Sequence, residues 1–313
     1  MKPIRAITAT LKVLPLFILS GCSALQLVNS VSRIYTADTR ENIPFDSNPA
    51  LKFDLYLPAK VADTTTPTPV VVFFYGGSWN RGHKSDYEFV GRRLASMGYI
   101  AAVPNYRLYP EVSYPDFLVD NAKSVLAVVK ELQKSEYAPY NPDSKVVLMG
   151  HSAGAYNAAM LSYDERWLEQ VGLCISNTVK GFVGLAGAYN LYPINDVEVR
   201  PVFHHPNYPK QSQPIDFAQN AQVPSLILAP ESDNLVSIEI NSLALHKLLD
   251  RAGAPNRFVQ VKGTDHISLI GTFSPVLFFK GSTTQPIAQF IEALASSTPL
   301  KQPANEHINA SAH

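Results

Sequence analysis

One short stretch of the sequence has the residue types of a nucleophilic catalyst. Gly150–Gly154 (G-H-S-A-G) follows the apolar run Lys145–Met149, which is typical of a strand, and precedes a helical pattern over 153–162. A serine at a sharp strand-to-helix turn projects its hydroxyl from the end of the sheet, and glycines beside it allow the close backbone approach. The positive end of the following helix also favours negative charge that develops nearby. We therefore predict that Ser152 is a nucleophile.

A serine hydroxyl is a weak nucleophile until a base removes its proton, so a histidine is required. The chain has eight histidines. His151 is adjacent to the serine, but neighbouring side chains at such a turn are expected to point apart. His266 lies in the loop after the last strong strand pattern, Arg257–Val261. His204 and His205 lie in a proline-rich segment and are kept as candidate residues of a substrate pocket.

Two carboxylates could orient such a histidine. Asp233 and Glu231 lie in the loop after the apolar run Ser225–Ala229, and both qualify by their chemistry. Asp265 is too close to His266 in sequence to hold its ring well. The orienting acid would accept a hydrogen bond from one ring nitrogen, fix the tautomer and stabilise the imidazolium. The residues by themselves leave Asp233 and Glu231 open.

Small residues at another strand end could stabilise an oxyanion. Gly76, Gly77 and Ser78 follow the apolar run Val70–Tyr75, and their small side chains let backbone N–H groups approach a reacting oxygen. We expect the N–H groups of Gly77 and Ser78, together with that of Ala153, to form an oxyanion hole. Loss of one such donor typically costs about 3 kcal/mol of transition-state stabilisation.

Short apolar runs alternate with helical patterns along the chain. Runs that are apolar on both faces, separated by helices, indicate an α/β fold: a mostly parallel central sheet with helices on both faces, in a single domain over 35–298. The segment 189–222 has several prolines and little periodicity, which favours a lid or a substrate-pocket loop. Residues 299–313 are predicted to be a disordered tail. The predicted strands are Leu51–Leu57, Val70–Tyr75, Tyr99–Val103, Lys145–Met149, Gly181–Ala186, Ser225–Ala229 and Arg257–Val261, and the predicted helices are 86–97, 115–134, 153–162, 237–251 and 286–296.

These features resemble the α/β-hydrolase fold, and the chain is similar to its carboxylesterase, feruloyl-esterase-like and kynurenine-formamidase-like members. The resemblance covers residues 50–297. It includes Asp54–Pro58 (D-L-Y-L-P) and Asn105–Pro110 (N-Y-R-L-Y-P), the latter similar to a D-Y-R-L motif of the family. Tyr75 stands where the family usually has the histidine of a His-Gly-Gly-x motif, so the residue that braces this loop differs.

The resemblance implies a triad of Ser152, Asp233 and His266, in the chain order expected for this fold. It favours Asp233 over Glu231, because Asp233 aligns with the acid of the family's G-x-x-D-x-x-V segment. It further implies hydrolysis of a carboxylic ester or an activated amide, without a metal or an organic cofactor. An arylformamidase using the same triad and a non-catalytic binding lipoprotein remain as alternatives.

The N-terminus has the pattern of a bacterial lipoprotein signal. Basic residues precede the apolar run Val13–Leu19, which is too short to span a bilayer, since a spanning helix needs about 20 residues. Leu19–Cys22 (L-S-G-C) resembles a lipobox, so residues 1–21 are predicted to be removed and Cys22 to be lipidated. Residues 22–34 would then be a tether to a membrane of the bacterial cell envelope.

The charge of the chain bears on possible partners. It has 26 basic and 26 acidic residues and a formal net charge of zero, and the basic residues are not clustered. A basic surface that could bind nucleic acid is therefore not expected. The expected partner is a small-molecule ester, and the identity of its acyl and alcohol groups is left open.

Overall fold

A central sheet organises the molecule. The computed structural model describes residues 21–59, 65–296 and 307–308. Its strands are β1 (Ala37–Pro44), β2 (Lys52–Pro58), β3 (Thr68–Phe74), β4 (Ile100–Pro104), β5 (Pro142–His151), β6 (Val179–Leu185), β7 (Ser225–Pro230), β8 (Asn256–Val261) and β9 (His307–Ile308). The strand order in the sheet is β1-β2-β4-β3-β5-β6-β7-β8-β9. The pairs β1–β2 and β2–β4 are antiparallel, and all other neighbouring pairs are parallel.

Helices cover both faces of this sheet. Successive strand residues point to opposite faces, and in β6 the position of Gly181 faces Phe290 while Phe182 contacts Tyr163. Because Phe290 lies in α9 (Thr284–Ser296) and Tyr163 in α4 (Ala153–Tyr163), these two helices lie on opposite sides of the sheet. The helices are α1 (Gly21–Ser32), α2 (Glu88–Ser96), α3 (Asp116–Glu131), α4 (Ala153–Tyr163), α5 (Glu165–Glu169), α6 (Ile175–Thr178), α7 (Ala244–Arg251), α8 (His266–Gly271) and α9 (Thr284–Ser296).

The central strands are buried on both faces, as their composition predicts. Every residue of Val70–Phe74 is apolar and belongs to the core, and so does every residue of Val146–Met149 and Leu226–Ala229. A parallel strand covered by helices on both sides has no solvent-facing positions, so a continuous apolar run is favoured over alternation. The described residues share one hydrophobic core. The predicted fold class, a mostly parallel sheet with helices on both faces in a single domain, is confirmed.

The structure differs from expectation near the N-terminus. Residues 22–34 were expected to be a tether, but Gly21–Ser32 forms helix α1, which packs against α2. The side chain of Asn29 accepts a hydrogen bond from the Phe89 N–H (3.1 Å) and donates one to the Ser85 carbonyl (2.7 Å), and Ser32 is fully buried. Helix α1 is therefore attached to the domain by specific contacts.

The predicted signal peptide lies almost wholly outside the described residues, which begin at 21. The side chain of Cys22 is not among those described, so its lipidation stays a prediction. No helix within 21–59 or 65–296 is both long enough and apolar enough to cross a membrane.

The C-terminus differs from expectation at two residues. His307–Ile308 forms β9, which pairs in parallel with β8 through Gln260 and Val261. A disordered tail over 299–313 is therefore the wrong description of these two residues, because the open edge of β8 provides backbone hydrogen-bonding groups for an added strand. The other residues of the predicted tail lie outside the described part of the chain.

Candidate active site

Ser152 lies at the turn between β5 and α4, where its side chain is half-buried. Its backbone has φ 54° and ψ −121°, a conformation that non-glycine residues rarely adopt. The Ser152 N–H donates to the carbonyl of Leu185 in the neighbouring strand (2.9 Å), which holds this conformation in place. The turn therefore stores local strain at the residue predicted to be the nucleophile, as active sites often do.

The glycines of the G-H-S-A-G motif are required by close backbone packing. A Cβ atom at Gly150 would lie 2.2 Å from the carbonyl oxygen of Gly154. A Cβ atom at Gly154 would lie 2.0 Å from the carbonyl oxygen of Phe74, at the end of β3. Any larger residue would push α4 away from the sheet and would move Ser152 with it.

The structure brings the three predicted triad residues together. His266 is the first residue of α8, just after β8, and its Nε2 lies 3.0 Å from Ser152 Oγ. Its Nδ1 lies 2.7 Å from Oδ2 of Asp233, in the loop after β7. The side chains of His266 and Asp233 are 7% and 1% exposed, so this contact is shielded from solvent. The three groups form one continuous hydrogen-bonded chain.

The protonation state of this chain follows from the bonds to Asp233. Burial raises the pKa of the Asp233 carboxyl, but hydrogen bonds from His266 and from the Val236 and Leu235 N–H groups, together with the charge of His266, outweigh burial, so the pKa lies below its ordinary value. The carboxylate is therefore ionised at neutral pH and accepts the Nδ1–H of His266. With the ring proton on Nδ1, Nε2 is free to accept the proton of the Ser152 hydroxyl.

The competing candidates from the sequence have other partners. Glu231 accepts a hydrogen bond from the Gly263 N–H through Oε2 (2.9 Å), which links two loops near the site. Asp265 caps α8 by accepting from the N–H groups of Ile267 and Ser268. Neither carboxylate has a hydrogen bond to His266 among the described residues.

The two adjacent histidines of the 189–222 segment lie away from the three-residue chain. His204 has its Nε2 2.6 Å from the carbonyl of Tyr114, and the ring of His205 packs against Tyr208. Neither histidine lines the cleft that contains Ser152. A substrate-pocket role for His204 and His205 is therefore not supported by their positions.

The glycine-containing loop after β3 approaches Ser152 closely. A Cβ atom at Gly76 would lie 3.0 Å from the Cβ of Ser152, and Gly77, Ser78 and Ala153 line the same cleft. Gly77 has φ 129°, and an added Cβ would lie 2.2 Å from the Arg81 carbonyl oxygen. Two further residues of the loop, Ser78 and Trp79, also have positive φ values of 52° and 57°. The sharp turn therefore lies close to Ser152, as an oxyanion hole formed by Gly77 and Ser78 would require.

Tyr75, which stands where the resembling family usually has a histidine, is held by aromatic packing. Tyr75 is buried and stacks on Tyr106 (ring centroids 4.5 Å apart) and on Tyr87 (5.7 Å). The Tyr106 hydroxyl also donates to the Tyr75 carbonyl (2.8 Å). The neighbouring Arg107 forms a two-pronged ion pair with Asp120, which is fully buried. The N-Y-R-L motif thus braces the loop that carries Gly77 and Ser78.

The long segment 189–222 packs against this loop and forms part of the cleft wall. Its residue Phe203 is buried against Trp79, whose indole N–H donates to the side-chain oxygen of Asn157 (2.9 Å). The cleft has a volume of about 490 Å³. One wall includes residues from 190 to 199, and another includes residues from 233 to 241.

Comparison with known proteins assigns the chain to a family. The BD-FAE family model matches residues 53–249, which include Ser152 and Asp233. The chain belongs to the BD-FAE family.

Curated relatives of this BD-FAE family member include two kinds of hydrolase. The chain is 33% identical over 168 residues to isoprenylcysteine alpha-carbonyl methylesterase of Arabidopsis thaliana, and the match covers 53% of the chain and 38% of the relative. The chain thus spans well under half the length of that plant protein. It is 28% identical over 254 residues to kynurenine formamidase of Danio rerio, covering 79% of the chain and 81% of the relative.

Solved structures share the fold of this BD-FAE family member. A truncated carbohydrate esterase from gut microbiota has a TM-score of 0.66 at 21% identity, covering 83% of this chain and 96% of that chain. Esterase B of Lactobacillus rhamnosis has a TM-score of 0.66 at 16% identity, covering 88% and 94% respectively. At these identities the similarity establishes the α/β-hydrolase fold.

One site residue was not anticipated from the sequence. His151 is buried, and its Nε2 lies 2.9 Å from the backbone carbonyl of His266. Because a carbonyl only accepts, Nε2 carries the ring proton and donates it. Both His151 and Ser152 line the cleft, and through this bond His151 supports the backbone of His266. Burial, and secondarily the nearby His266, lower the pKa of His151 to about 3.

This low pKa predicts a specific loss of stability in acid. The unfolded chain binds a proton at His151 below about pH 6.5, whereas the folded protein does not until about pH 3. At pH values above the pKa of the unfolded chain, His151 is neutral in both states and does not reduce the free energy of unfolding. As pH falls from there toward the pKa of the folded protein, only the unfolded chain gains the proton, so the free energy of unfolding decreases. Between about pH 7 and about pH 4.5, we expect His151 to account for roughly 2–3 kcal/mol of lost unfolding free energy.

Chemical denaturation of the wild type and His151→Gln at the two pH values measures this contribution. Glutamine has an N–H donor for the His266 carbonyl but does not titrate, so the variant should lose less stability in acid than the wild type. His151→Leu also does not titrate, but it leaves that carbonyl without its donor and should be less stable at both pH values. An equal pH dependence in the wild type and the glutamine variant would contradict the assignment.

Proposed function

We propose that this protein is a serine hydrolase that cleaves a carboxylic ester through a covalent acyl-enzyme. The observation that supports the proposal most directly is the hydrogen-bonded chain from Asp233 through His266 to Ser152, with distances of 2.7 Å and 3.0 Å. An ionised acid, a correctly oriented imidazole and a hydroxyl at a strained turn are the components that activate a serine.

In the proposed first step, Ser152 Oγ forms a bond to the ester carbonyl carbon while His266 Nε2 takes the hydroxyl proton. The carbonyl oxygen becomes an oxyanion, which accepts hydrogen bonds from the N–H groups of Gly77, Ser78 and Ala153. The tetrahedral intermediate then collapses, the bond to the alcohol oxygen breaks, and the imidazolium of His266 gives its proton to that oxygen. The alcohol leaves and the acyl group stays on Ser152.

In the proposed second step, water attacks the acyl-enzyme. His266 removes a proton from the water as its oxygen bonds to the acyl carbon, and the same oxyanion donors act again. Collapse of this intermediate breaks the bond to Ser152 Oγ, which recovers its proton from His266. The products are a carboxylic acid and an alcohol, and the three side chains return to their starting state.

Covalent labelling with a fluorophosphonate probe tests this proposal. The probe phosphorus is attacked only by an activated serine, so we expect stoichiometric labelling of the wild-type protein at Ser152, identified by mass spectrometry of the labelled peptide. Prior heating to unfold the protein should abolish labelling, because activation requires the assembled site. A native protein that stays unlabelled would instead support a non-catalytic binding role.

Amide hydrolysis is the second candidate, and the similarity to a kynurenine formamidase over 81% of that relative supports it. The same three residues could cleave a formamide, with His266 protonating the leaving nitrogen instead of an oxygen. Phenyl acetate and formanilide share an aromatic leaving portion, so their kcat/KM values separate the two activities. A higher kcat/KM for formanilide would favour the formamidase alternative.

A further inference from the structure

Three large apolar side chains at the mouth of the cleft are exposed to solvent. Leu235, Ile240 and Ile267, here called the apolar shelf, are 71%, 53% and 63% exposed, and all three line the cleft that contains Ser152. Single exposed apolar residues are common on protein surfaces, but a group at the edge of a binding cleft is typical of a ligand contact.

The apolar shelf is held by the same loops that hold the candidate triad. Leu235 lies two residues after Asp233, and its N–H donates to the carboxylate of Asp233 (2.9 Å). Ile267 directly follows His266, and its N–H donates to Asp265 at the start of α8 (3.0 Å). These bonds hold the backbone at Leu235 and Ile267 beside the candidate triad, and Ile240 lies in the helical segment Glu239–Leu243 that follows the Asp233 loop.

The proposed mechanism determines which half of an ester the shelf would meet. His266 must protonate the alcohol oxygen, so that oxygen has to face Nε2 when the tetrahedral intermediate collapses. The carbonyl oxygen points instead toward Gly77, Ser78 and Ala153. The alcohol group therefore leaves the reaction centre on the His266 side, where Ile267 and Leu235 adjoin His266 and Asp233.

Apart from the candidate triad, the charged side chains of the cleft lie on the side opposite the apolar shelf. Arg81 contacts the Gly77 loop and pairs with Glu198 (2.9 Å), while Asp196 belongs to the 190–199 wall. On the other wall, the cleft-lining polar neighbours of the shelf are neutral: Asn234, Ser237 and Asn241. Apart from the candidate triad, the shelf side thus presents no charged side chain among the described cleft residues, which disfavours a charged alcohol.

From these observations, the geometry points to an ester substrate whose alcohol half is apolar and uncharged. This inference rests on the proposed function. A hydrocarbon alcohol portion lies on Leu235, Ile240 and Ile267 during acylation and leaves as an apolar alcohol. The apolar shelf discriminates between esters by the length of this portion.

Two matched ester series test the inference. Ethyl, butyl and hexyl acetate differ only in the alcohol, and ethyl acetate, butanoate and hexanoate differ only in the acyl group. All acetates give the same acetyl-enzyme, so differences in their kcat/KM arise before the alcohol leaves. Complete burial of one methylene would raise kcat/KM about fourfold. For contact on one side, we expect about a tenfold rise from ethyl to hexyl acetate.

The variant Leu235→Ser/Ile240→Ser removes most of the shelf without altering the residue next to His266. We expect its hexyl-to-ethyl ratio along the acetate series to fall to about threefold or less, while its ratio along the acyl series stays that of the wild type. Phe278→Ser is a matched control, because Phe278 is 65% exposed and does not line the cleft. This control should retain both wild-type ratios.

The outcomes separate the inference from the proposed function. If the wild type hydrolyses acetates and is labelled at Ser152 but shows no dependence on alcohol length, the inference is wrong and the proposed function stands. If the double variant changes the acyl series instead, the shelf binds the acyl half and the inference is also wrong. If no ester is hydrolysed and no label forms, the proposed function fails and the inference fails with it.

Discussion

Replacing Ser152 with alanine is expected to lower kcat for p-nitrophenyl acetate by about 10⁶-fold, the size of effect seen when a serine nucleophile is removed from a triad. The substitution removes only Oγ, the atom proposed to bond to the substrate. The His266 ring, its bond to Asp233 and the backbone donors of Gly77 and Ala153 all remain. Residual hydrolysis above the rate in water is therefore expected from these groups.

The folded structure should tolerate this change. Ser152 is half-buried, and the backbone bond that holds the turn is donated by its N–H to Leu185, so alanine keeps it. Thermal unfolding of both proteins, followed by circular dichroism, should show that the midpoint is nearly unchanged. The matched control is Ser162→Ala in α4, the helix that follows Ser152, where the hydroxyl donates to the Ala158 carbonyl.

Kinetic comparison of the two variants gives a clear decision. We expect Ser162→Ala to keep activity within about twofold of the wild type, because surroundings away from the reacting atoms affect catalysis only through stability. If Ser152→Ala retained more than about one per cent of kcat, a different nucleophile would be required, since a nucleophile's effect is far larger.

The turn at Ser152 and the loops that carry Asp233 and His266 could be predicted, because each depends on neighbouring segments of the sequence. The turn at Ser152 could be recognised because a strand, a tight glycine-flanked turn and a helix are adjacent in the chain. The short distance between Gly154 and the Phe74 carbonyl then explains in three dimensions why glycine is needed. The ends of successive parallel strands meet at one edge of the sheet, so the loops bearing Asp233 and His266 could also be expected to meet Ser152.

Residues that act through tertiary contacts were not predictable in the same way. The stacking of Tyr75 on Tyr106 joins residues that are separated in the chain by α2 and β4, and no local pattern indicates it. The bond from His151 to the His266 carbonyl joins residues 115 positions apart in the chain, so it depends on the tertiary structure. Trp79 has a positive φ, which is sterically unfavourable for a bulky residue and so could not be expected from its residue type.

Six of the described helices and strands were not predicted, namely β1, β9, α1, α5, α6 and α8. Two of them, β1 and α1, have weak sequence patterns. Strand β1 (Ala37–Pro44) is mostly polar and lies at the edge of the sheet. Because many of its side chains are exposed to solvent, it lacks the continuous apolar run by which the inner strands were recognised. Helix α1 follows a segment with the features of a signal, and its polar residue Asn29 gains its role only from contacts with α2 and the preceding turn. Edge elements depend on their neighbours more than central ones do.

Replacing Asp233 with asparagine should lower kcat by about 10⁴-fold while keeping the shape of the site. Asparagine is nearly isosteric with aspartate, but it lacks the charge that stabilises the imidazolium of His266. It also carries an N–H₂ group, which cannot accept the Nδ1–H of His266. Steady-state hydrolysis of p-nitrophenyl acetate measures the loss, and mass spectrometry excludes deamidation back to aspartate.

Glu231→Gln is the matched control, since it makes the same chemical change on the other carboxylate left open by the sequence. Glu231 accepts from the Gly263 N–H, and a glutamine oxygen can accept the same bond. We expect activity within about threefold of the wild type, in keeping with a surface substitution that preserves its contact. A large loss in Glu231→Gln together with a small loss in Asp233→Asn would reassign the orienting acid to Glu231.

The orientation of the introduced amide is set by the bonds that Asp233 already makes. Its Oδ1 accepts from the N–H groups of Leu235 (2.9 Å) and Val236 (2.8 Å), so the amide oxygen of asparagine must stay on that side. Rotating the amide would place its N–H₂ group against these two donors. The N–H₂ group is therefore directed at Nδ1 of His266, which can accept from it only when the ring proton moves to Nε2. In that tautomer Nε2 cannot take the proton of Ser152, so the variant should bind substrate in an intact cleft and fail at the first proton transfer.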